Sequence, residues 1–145
     1  MVREIGVEKL DGLSPSHPHA IASRKDLHRI NRLLGTNRWF ERVLPGIVRP
    51  GIRILELGAG DGAMSDFLRR RLNKTSSWQW HALDIQQVPG RIDDGLQWHQ
   101  ADLLQFDEYE SHEVVFGNFI LHQFDRNALK RLGERLHKGT RALVF

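Results

Sequence analysis

The sequence contains no cysteine among its 145 residues. That absence excludes disulfide bonds, thiolate metal ligands and a cysteine nucleophile. No apolar run approaches the roughly 20 residues that a membrane-spanning helix needs. The first ten residues include Arg3, Glu4, Glu8 and Lys9, which do not form the apolar core of a signal peptide. We therefore expect a protein without a membrane span, in a reducing cytoplasm.

A strong excess of charge of one sign is also missing. The formal net charge is +3 with the eight histidines neutral, which is too weak to indicate a nucleic acid as partner. Hydrophobic residues make up 40% of the chain and charged residues 27%, as in ordinary globular proteins. The length predicts one domain or part of one.

Residues 1–50 are predicted to form an N-terminal helical segment. Prolines in residues 1–23 discourage a helix, so we expect that stretch to be loosely structured. From Arg24 onward a helical period places four apolar residues on one face: Leu27, Ile30, Leu33 and Leu34. Gly35 is a plausible end for this helix, and Asn37 a plausible cap for a second helix through Leu44, before the break at Pro45.

Beyond residue 50 strand and helix patterns alternate. The predicted strands are 52–57, 78–83, 96–100, 114–116 and 141–145. A helical pattern covers 63–72, and 103–109 is predicted to form a turn or a helical turn. A last helix is capped by Asp125 and stopped by Gly139. This alternation predicts an α/β fold with a parallel sheet.

The first predicted strand leads into a glycine-rich turn, Glu56-Leu57-Gly58-Ala59-Gly60-Asp61-Gly62. Glycines allow backbone amides to approach a ligand that a β-carbon would keep away. Three later strands are followed by Asp84, Asp102 and Asn118. Because ligands bind at the carboxyl ends of parallel strands, the sequence predicts a nucleotide-type cofactor site there.

These motifs resemble those of the class I S-adenosylmethionine-dependent methyltransferases. The resemblance covers residues 52–145 and rests on the glycine-rich turn, Asp84, Ala101-Asp102-Leu103 and the run from Asn118 to Phe124. It implies a doubly wound, Rossmann-like parallel sheet in the order 3-2-1-4-5 with helices on both faces. The usual sixth and seventh strands are absent from this chain. It also implies a cofactor-binding domain over 51–145, with residues 1–50 capping the site.

The resemblance implies S-adenosyl-L-methionine as cofactor and a role for each motif. The glycines would pack against its methionine portion, with Glu56 near the amino group. Asp84 would accept hydrogen bonds from the ribose hydroxyls and Asp102 from the adenine amino group, beside the Leu103 amide. The predicted cofactor-binding residues are Glu56, Gly58, Ala59, Gly60, Asp61, Gly62, Asp84, Ile85, Asp102, Leu103 and Asn118.

The reaction implied is methyl transfer to oxygen or carbon of a small-molecule acceptor. His122 is the candidate catalytic base, because a neutral imidazole can take a proton near neutral pH. The alternative is a wall residue or a hydrogen bonder at a helix start. We expect no metal site: His81 and His99 fall within strands as structural or solvent-facing residues. His17 and His19 fall in a flexible loop without a suitable carboxylate.

Two other functions remain open at the level of sequence. Gly58-x-Gly60-x-x-Ala63 with Asp84 also satisfies the looser fingerprint of a nicotinamide-dependent oxidoreductase. The second is a non-catalytic or truncated cofactor-binding fragment, since the chain ends within the fifth strand. The bare edge of that strand then offers a docking point for a second copy or a partner chain.

Overall fold

The strands form one parallel sheet. The computed structural model describes residues 17–72, 77–87, 92 and 94–145. The strands are β1 Arg53–Leu57, β2 Gln79–Asp84, β3 Leu96–Gln100, β4 Val114–Gly117 and β5 Ala142–Val144. Their order is β3-β2-β1-β4-β5 and every pairing is parallel. The predicted fold class and strand order are confirmed.

Helices lie before and between the strands. The α-helices are α1 Pro18–Leu34, α2 Thr36–Ile47, α3 Ala63–Leu72 and α4 Arg126–Leu136. Two short 3₁₀ helices cover Glu108–Ser111 and Leu121–Gln123. No helix in the part of the chain that the structure describes is long and apolar enough to span a bilayer.

Each face of the sheet has its own apolar core. Side chains alternate between faces along a strand, so Ile54 of β1 packs in one cluster with Leu68 of α3. Leu55 packs in the other cluster with Leu132 and Leu136 of α4. We call the two sides the α3 face and the α4 face. Helices therefore cover both faces, as predicted.

The start of α1 corrects the prediction for residues 1–23. The helix begins at Pro18 rather than at Arg24, and residues 1–16 lie outside the described part of the chain. Proline is favourable in a first helical turn, where its missing N–H has no helical partner. His17 caps the helix, because its Nδ1 accepts from the His19 amide at 3.2 Å. The expected flexible loop around these two histidines is thus a capped helix start.

The predicted apolar stripe of α1 is largely exposed. Ile30 is 42% exposed, Leu34 66% and Leu33 85%. The side chain of Leu27 is outside what the structure describes. The three described residues of the stripe are therefore not part of either core.

Helix α2 differs from the prediction at both ends. Gly35, with φ of 68°, is its N-cap, and Asn37 lies inside the helix. The helix also continues through Pro45 to Ile47 instead of ending at Leu44. Core packing overrides the proline here, because Leu44 is fully buried and its carbonyl accepts from the Val48 amide at 3.0 Å.

Helix α4 ends three residues before Gly139, which was predicted to stop it. His137 is the C-cap and lies in a right-handed conformation. Gly139 instead packs closely on the first 3₁₀ helix, where a β-carbon would overlap the Cα of Glu110. The glycine is needed for close approach of two backbones rather than for a helix end.

Candidate functional site

Four strand ends meet at the carboxyl edge of the sheet. Because β3, β2, β1 and β4 are adjacent and parallel, the residues that end or follow them lie side by side. In spatial order they are Asp102, Asp84, Gly58 and Asn118. The structure therefore brings the four predicted polar or glycine positions to one edge.

The glycine-rich turn is fastened to the end of β2. The amides of Gly58 and Ala59 donate to the Leu83 carbonyl at 2.9 and 3.2 Å. Gly58, Gly60 and Gly62 have φ values of 63°, 62° and 73°, a region that favours glycine. The three predicted glycines are each required by the backbone conformation of the turn.

Two of these glycines differ in their surroundings. A β-carbon on Gly58 would lie 2.5 Å from Cδ1 of Ile120, so Gly58 serves packing. A β-carbon on Gly60 would meet nothing within 4 Å. Gly60 thus borders open space at the sheet edge, where a ligand can approach its backbone.

Asp84 faces the turn. Its Oδ2 accepts from the Gly60 amide at 2.8 Å, and its Oδ1 accepts from the Gln86 amide at 2.9 Å. A carboxylate oxygen has about two acceptor positions, so these bonds leave capacity on each oxygen. Asp84 is half-buried, and Ile85 beside it is 64% exposed.

Asp102 and Asp61 both shape turns. Oδ1 of Asp102 accepts from the Leu104 amide at 2.8 Å, and Oδ1 of Asp61 accepts from the Ala63 amide at 3.2 Å. Leu103 is buried, and its carbonyl accepts from the Tyr109 hydroxyl at 2.8 Å. The loop after β3 is thus held in place at the edge where the resemblance implies adenine recognition.

Glu56 is buried between β1 and α3. Its Oε2 accepts from the Ser65 amide at 3.0 Å and from the Ser65 hydroxyl at 2.5 Å. Burial raises the pKa of Glu56 to about 7, although the Ser65 hydrogen bonds lower it. The contacts of Glu56 tie the glycine-rich turn to the helix behind it.

Asn118 connects the end of β4 to α1. Its Nδ2 donates to Oδ1 of Asn31 at 2.8 Å. Phe119 follows with φ of 55° and is 44% exposed, while His122 lies exposed in the second 3₁₀ helix. Sequence reasoning missed Asn31, because nothing in a helical pattern indicates a contact with a residue 87 positions away.

Three histidines form a second group that the sequence did not indicate. Nδ1 of His81 lies 2.8 Å from Nε2 of His99, and Nδ1 of His112 lies 2.9 Å from the Glu108 carbonyl oxygen. Burial lowers the pKa of all three, that of His81 to about 4. His81 and His99 are therefore structural rather than solvent-facing, and we call this group the histidine cluster.

The sheet order, the glycine-rich turn after β1 and the acid at the end of β2 define a class. This is the fold of the class I S-adenosylmethionine-dependent methyltransferases. Solved structures of such enzymes match the chain at 16–19% identity, and at that level the match shows the fold alone. No protein-family model and no curated protein sequence matches the chain.

Three solved structures illustrate the match. One is the 1,6-didemethyltoxoflavin-N1-methyltransferase of Burkholderia thailandensis with bound 1,6-didemethyltoxoflavin and S-adenosylhomocysteine (TM-score 0.58, 19% identity, 89% of this chain and 62% of that one). Another is the plantazolicin methyltransferase BpumL with a pentazolic desmethylPZN analogue and S-adenosylhomocysteine (TM-score 0.60, 17% identity, 83% of this chain and 50% of that one). A third, from Methanococcus maripaludis, is provisionally assigned as an S-adenosylmethionine-dependent methyltransferase (TM-score 0.54, 16% identity, 77% of this chain and 56% of that one). The chain thus matches only half to three-fifths of these proteins' length.

Proposed function

We propose that this chain binds S-adenosyl-L-methionine and transfers its methyl group to oxygen or carbon of a small molecule. The observation that carries the proposal is Asp84 beside the Gly60 amide at the carboxyl edge of the sheet. A carboxylate with spare acceptor capacity next to an open glycine backbone suits a ribose and its attached chain. The methyltransferases of similar fold that contain S-adenosylhomocysteine support the same cofactor.

The proposed cofactor contacts follow the strand ends. Asp84 would accept from the two ribose hydroxyls, and the Gly60 backbone would border the methionine portion. Asp102 would accept from the adenine amino group beside the Leu103 amide, and Asn118 would face the methionine end. Ala59, Asp61, Gly62 and Ile85 complete the set as residues of the same two turns. Glu56 would act mainly by fixing the turn through Ser65, whose backbone amide and hydroxyl both donate to its Oε2.

Residues 1–50 would cap this site. The hydrogen bond from Asn118 to Asn31 supports the proposal, because it places α1 against the end of β4. Trp39 of α2 is 47% exposed, whereas its neighbour Phe40 is 1% exposed and packs on Phe116. Of this aromatic pair, Trp39 is the residue left to contact a ligand.

The bound cofactor supplies an electrophilic methyl group on a sulfonium ion. The protein would then contribute mainly alignment of the acceptor and exclusion of water. His122 would accept the proton that the acceptor loses, and it lies just beyond Asn118 on an exposed 3₁₀ turn. Proton transfer to a positioned side chain contributes typically about 100-fold or more to a rate.

The cofactor is tested by calorimetric titration with S-adenosylhomocysteine and, separately, with NADH. We expect saturable binding of S-adenosylhomocysteine and none of NADH. Asp84→Asn removes the charge but keeps the size, and we expect it to weaken binding by about tenfold or more, since a hydrogen bond to a charged group contributes about 1.5–3 kcal/mol. Asp107→Asn, in an exposed loop, is the matched control. Binding of NADH alone would favour the oxidoreductase.

The base is tested with His122→Ala and Gln123→Ala, neighbours in the same 3₁₀ helix. An acceptor is first identified by screening small hydroxy and carbon acids with labelled cofactor. His122→Ala should then lower kcat about 100-fold with unchanged affinity for S-adenosylhomocysteine. Unchanged kcat would make His122 a wall residue.

The outer edge of β5 is a proposed contact for a second copy or a partner chain. Among the described residues no strand pairs with that edge, and Leu143 and Phe145 are 49% and 46% exposed. Unpaired strand edges readily take up another strand. Light scattering should show a dimer that Leu143→Lys disrupts, and a wild-type monomer would exclude self-pairing.

A cytoplasmic location remains a prediction from the sequence.

A further inference from the structure

The histidine cluster lies on the α4 face, away from the carboxyl edge. His81 is three residues before Asp84 in β2, which corresponds to about 10 Å along a strand. The register pairs His81 with Gln97 and Leu83 with His99, so the two rings are diagonal neighbours on one face. His112 comes shortly before β4. One nitrogen from each ring lies within 4.8 Å of the others.

His112 has an unsatisfied nitrogen. The ring is 0% exposed, and its Nδ1 lies 2.9 Å from the Glu108 carbonyl oxygen. A carbonyl oxygen only accepts, so Nδ1 carries the proton and Nε2 of the neutral ring has a lone pair. Nε2 is buried and has no hydrogen-bond partner among the described residues. A backbone carbonyl that fixes one ring nitrogen is the arrangement typical of a metal-ligating histidine.

His81 and His99 add two further nitrogens. The 2.8 Å contact between Nδ1 of His81 and Nε2 of His99 contains a single hydrogen, so one nitrogen donates and the other accepts. Burial keeps the rings neutral, and the neutral imidazole is the form that binds metals. The cluster therefore brings three neutral ring nitrogens close together among buried and half-buried residues.

We propose that His81, His99 and His112 bind one divalent transition-metal ion of the zinc type and thereby join β2, β3 and the start of β4. Three imidazoles are a known ligand set for zinc, with Zn–N distances of about 2.0–2.1 Å. Tetrahedral ligands at that distance stand roughly 3.4 Å apart. The His81 and His99 nitrogens would separate slightly, and His112 would approach.

The proton balance of this site is simple. The hydrogen between His81 and His99 moves to the outer nitrogen of the same ring, so every ligand stays neutral. The fourth position would hold water on the side of His99, which is only half-buried. The charge of Glu108 acts on His99 and His112 and favours a cation, whereas Arg53 opposes it.

The ion would have a structural role. It would bind only when the sheet brings the three rings together, so it stabilises the folded state in proportion to its concentration. The test uses the full chain after treatment with EDTA, followed by titration with ZnCl₂ in a calorimeter and in thermal unfolding. We expect one ion per chain and a Tm that rises with zinc concentration. Co²⁺ would report the site by visible absorption.

Variants assign the binding to the cluster. His99→Gln and His112→Gln should each weaken zinc binding more than about tenfold and abolish the Co²⁺ absorption. His137→Gln, at the exposed C-cap of α4, and the double variant His17→Gln/His19→Gln should bind like the wild type. If His112→Gln fails to fold, His99→Gln decides the question, because His99 is half-buried.

Three results would overturn the proposal. The first is no saturable zinc binding to the EDTA-treated wild type. The second is binding that survives unchanged in His99→Gln. The third is binding lost in His17→Gln/His19→Gln, which would identify an adventitious ion at the start of α1. Any of them would leave the cluster as three hydrogen-bonded structural histidines.

Discussion

The two faces of the sheet bury ionisable side chains in different ways. On the α3 face, Glu56 accepts two hydrogen bonds from Ser65 near the start of α3. On the α4 face, His112 keeps one buried nitrogen with no hydrogen-bond partner among the described residues. Burial raises the pKa of Glu56 to about 7 and lowers that of His81 to about 4, so it favours the uncharged form on both faces.

The difference shows what a helix start provides that a helix end does not. The first amides of a helix have no partner within it, so they can satisfy a nearby carboxylate. His112 is the C-cap of the first 3₁₀ helix, where carbonyl groups rather than amides are left over, so its Nδ1 donates to the Glu108 carbonyl and its Nε2 meets no helix amide. A buried acid on the α3 face therefore fastens the glycine-rich turn, whereas buried histidines on the α4 face retain the capacity to bind an ion.

The largest expected effect on stability comes from adding a β-carbon to the glycine-rich turn on the side of the α4 face. The same addition on the side of the α3 face should cost less. Gly58 contacts Ile120 of the α4-face core, and Gly62 borders Leu96 and Trp98 of the α3-face cluster. Both have positive φ, which costs alanine about 1–2 kcal/mol. Gly58→Ala adds an overlap with Ile120, for a total of about 4 kcal/mol. Gly62→Ala should cost only the first amount, measured by urea unfolding.

Equal losses in these two variants would contradict the packing difference between the faces. The added β-carbon of Gly62→Ala would lie 3.4 Å from Cδ2 of Leu96, which is close to an ordinary contact. The two substitutions therefore have nearly the same conformational cost, and they differ only in the space available to the added β-carbon.

Measuring the free energy of unfolding at several pH values isolates the contribution of the buried Glu56. The folded pKa of Glu56 is about 7, above its ordinary value of 4.5. Its contribution to stability is therefore complete below pH 4.5 and is lost as pH rises through 7, by roughly 3 kcal/mol. Glu56→Gln cannot ionise, so its stability relative to wild type should rise over that range in urea unfolding.

The exposed Glu134 provides the control, since Glu134→Gln should follow the wild-type pH dependence. The histidines are unchanged in all three proteins, so the difference between variants reports Glu56. A pH dependence that Glu56→Gln leaves unchanged would mean that this carboxyl group is not desolvated in the fold.

A smaller effect is expected within the α4 face. Tyr109 is 2% exposed, and its hydroxyl donates to the Leu103 carbonyl at 2.8 Å. Tyr109→Phe leaves that carbonyl without this donor and should cost about 1–2 kcal/mol. Ser111→Ala removes a half-exposed hydroxyl that donates to the Glu108 carbonyl and lies 3.2 Å from Nδ1 of His112, and it should cost less, about 0.5 kcal/mol. Similar losses in the two variants would contradict the role assigned to burial.

The smallest effect concerns the cap of α4. Oδ1 of Asp125 accepts from the Ala128 amide at 2.7 Å. Asp125→Ala should cost about 1 kcal/mol, whereas Arg126→Ala at the next, exposed position should be nearly neutral. Thermal unfolding of the two variants measures the difference, and a neutral Asp125→Ala would show that solvent replaces the cap.

The sequence predicted the features that depend on local periodicity and chain order. Alternating strands and helices predicted the parallel sheet, and the residues after the strands predicted that Asp84 and the glycine-rich turn lie at its carboxyl edge. Helix ends were less predictable. Pro18 begins α1 and Pro45 lies within α2, because position in a turn and core packing decide whether a proline is tolerated.

Contacts between distant segments were not predictable. The histidine cluster depends on a register that makes His81 and His99 diagonal neighbours, and on the loop that brings His112 beneath them. The contact of Asn31 with Asn118 likewise depends on where α1 lies. A single sequence contains the side chains but not the register or the docking that bring them together.

The most direct test is a crystal structure of the protein grown with S-adenosylhomocysteine. The account predicts density for the ligand at the carboxyl edge, with the ribose hydroxyls within hydrogen-bonding distance of the Asp84 carboxylate. An edge that stays empty at saturating ligand, or a ligand bound away from Asp84, would contradict it.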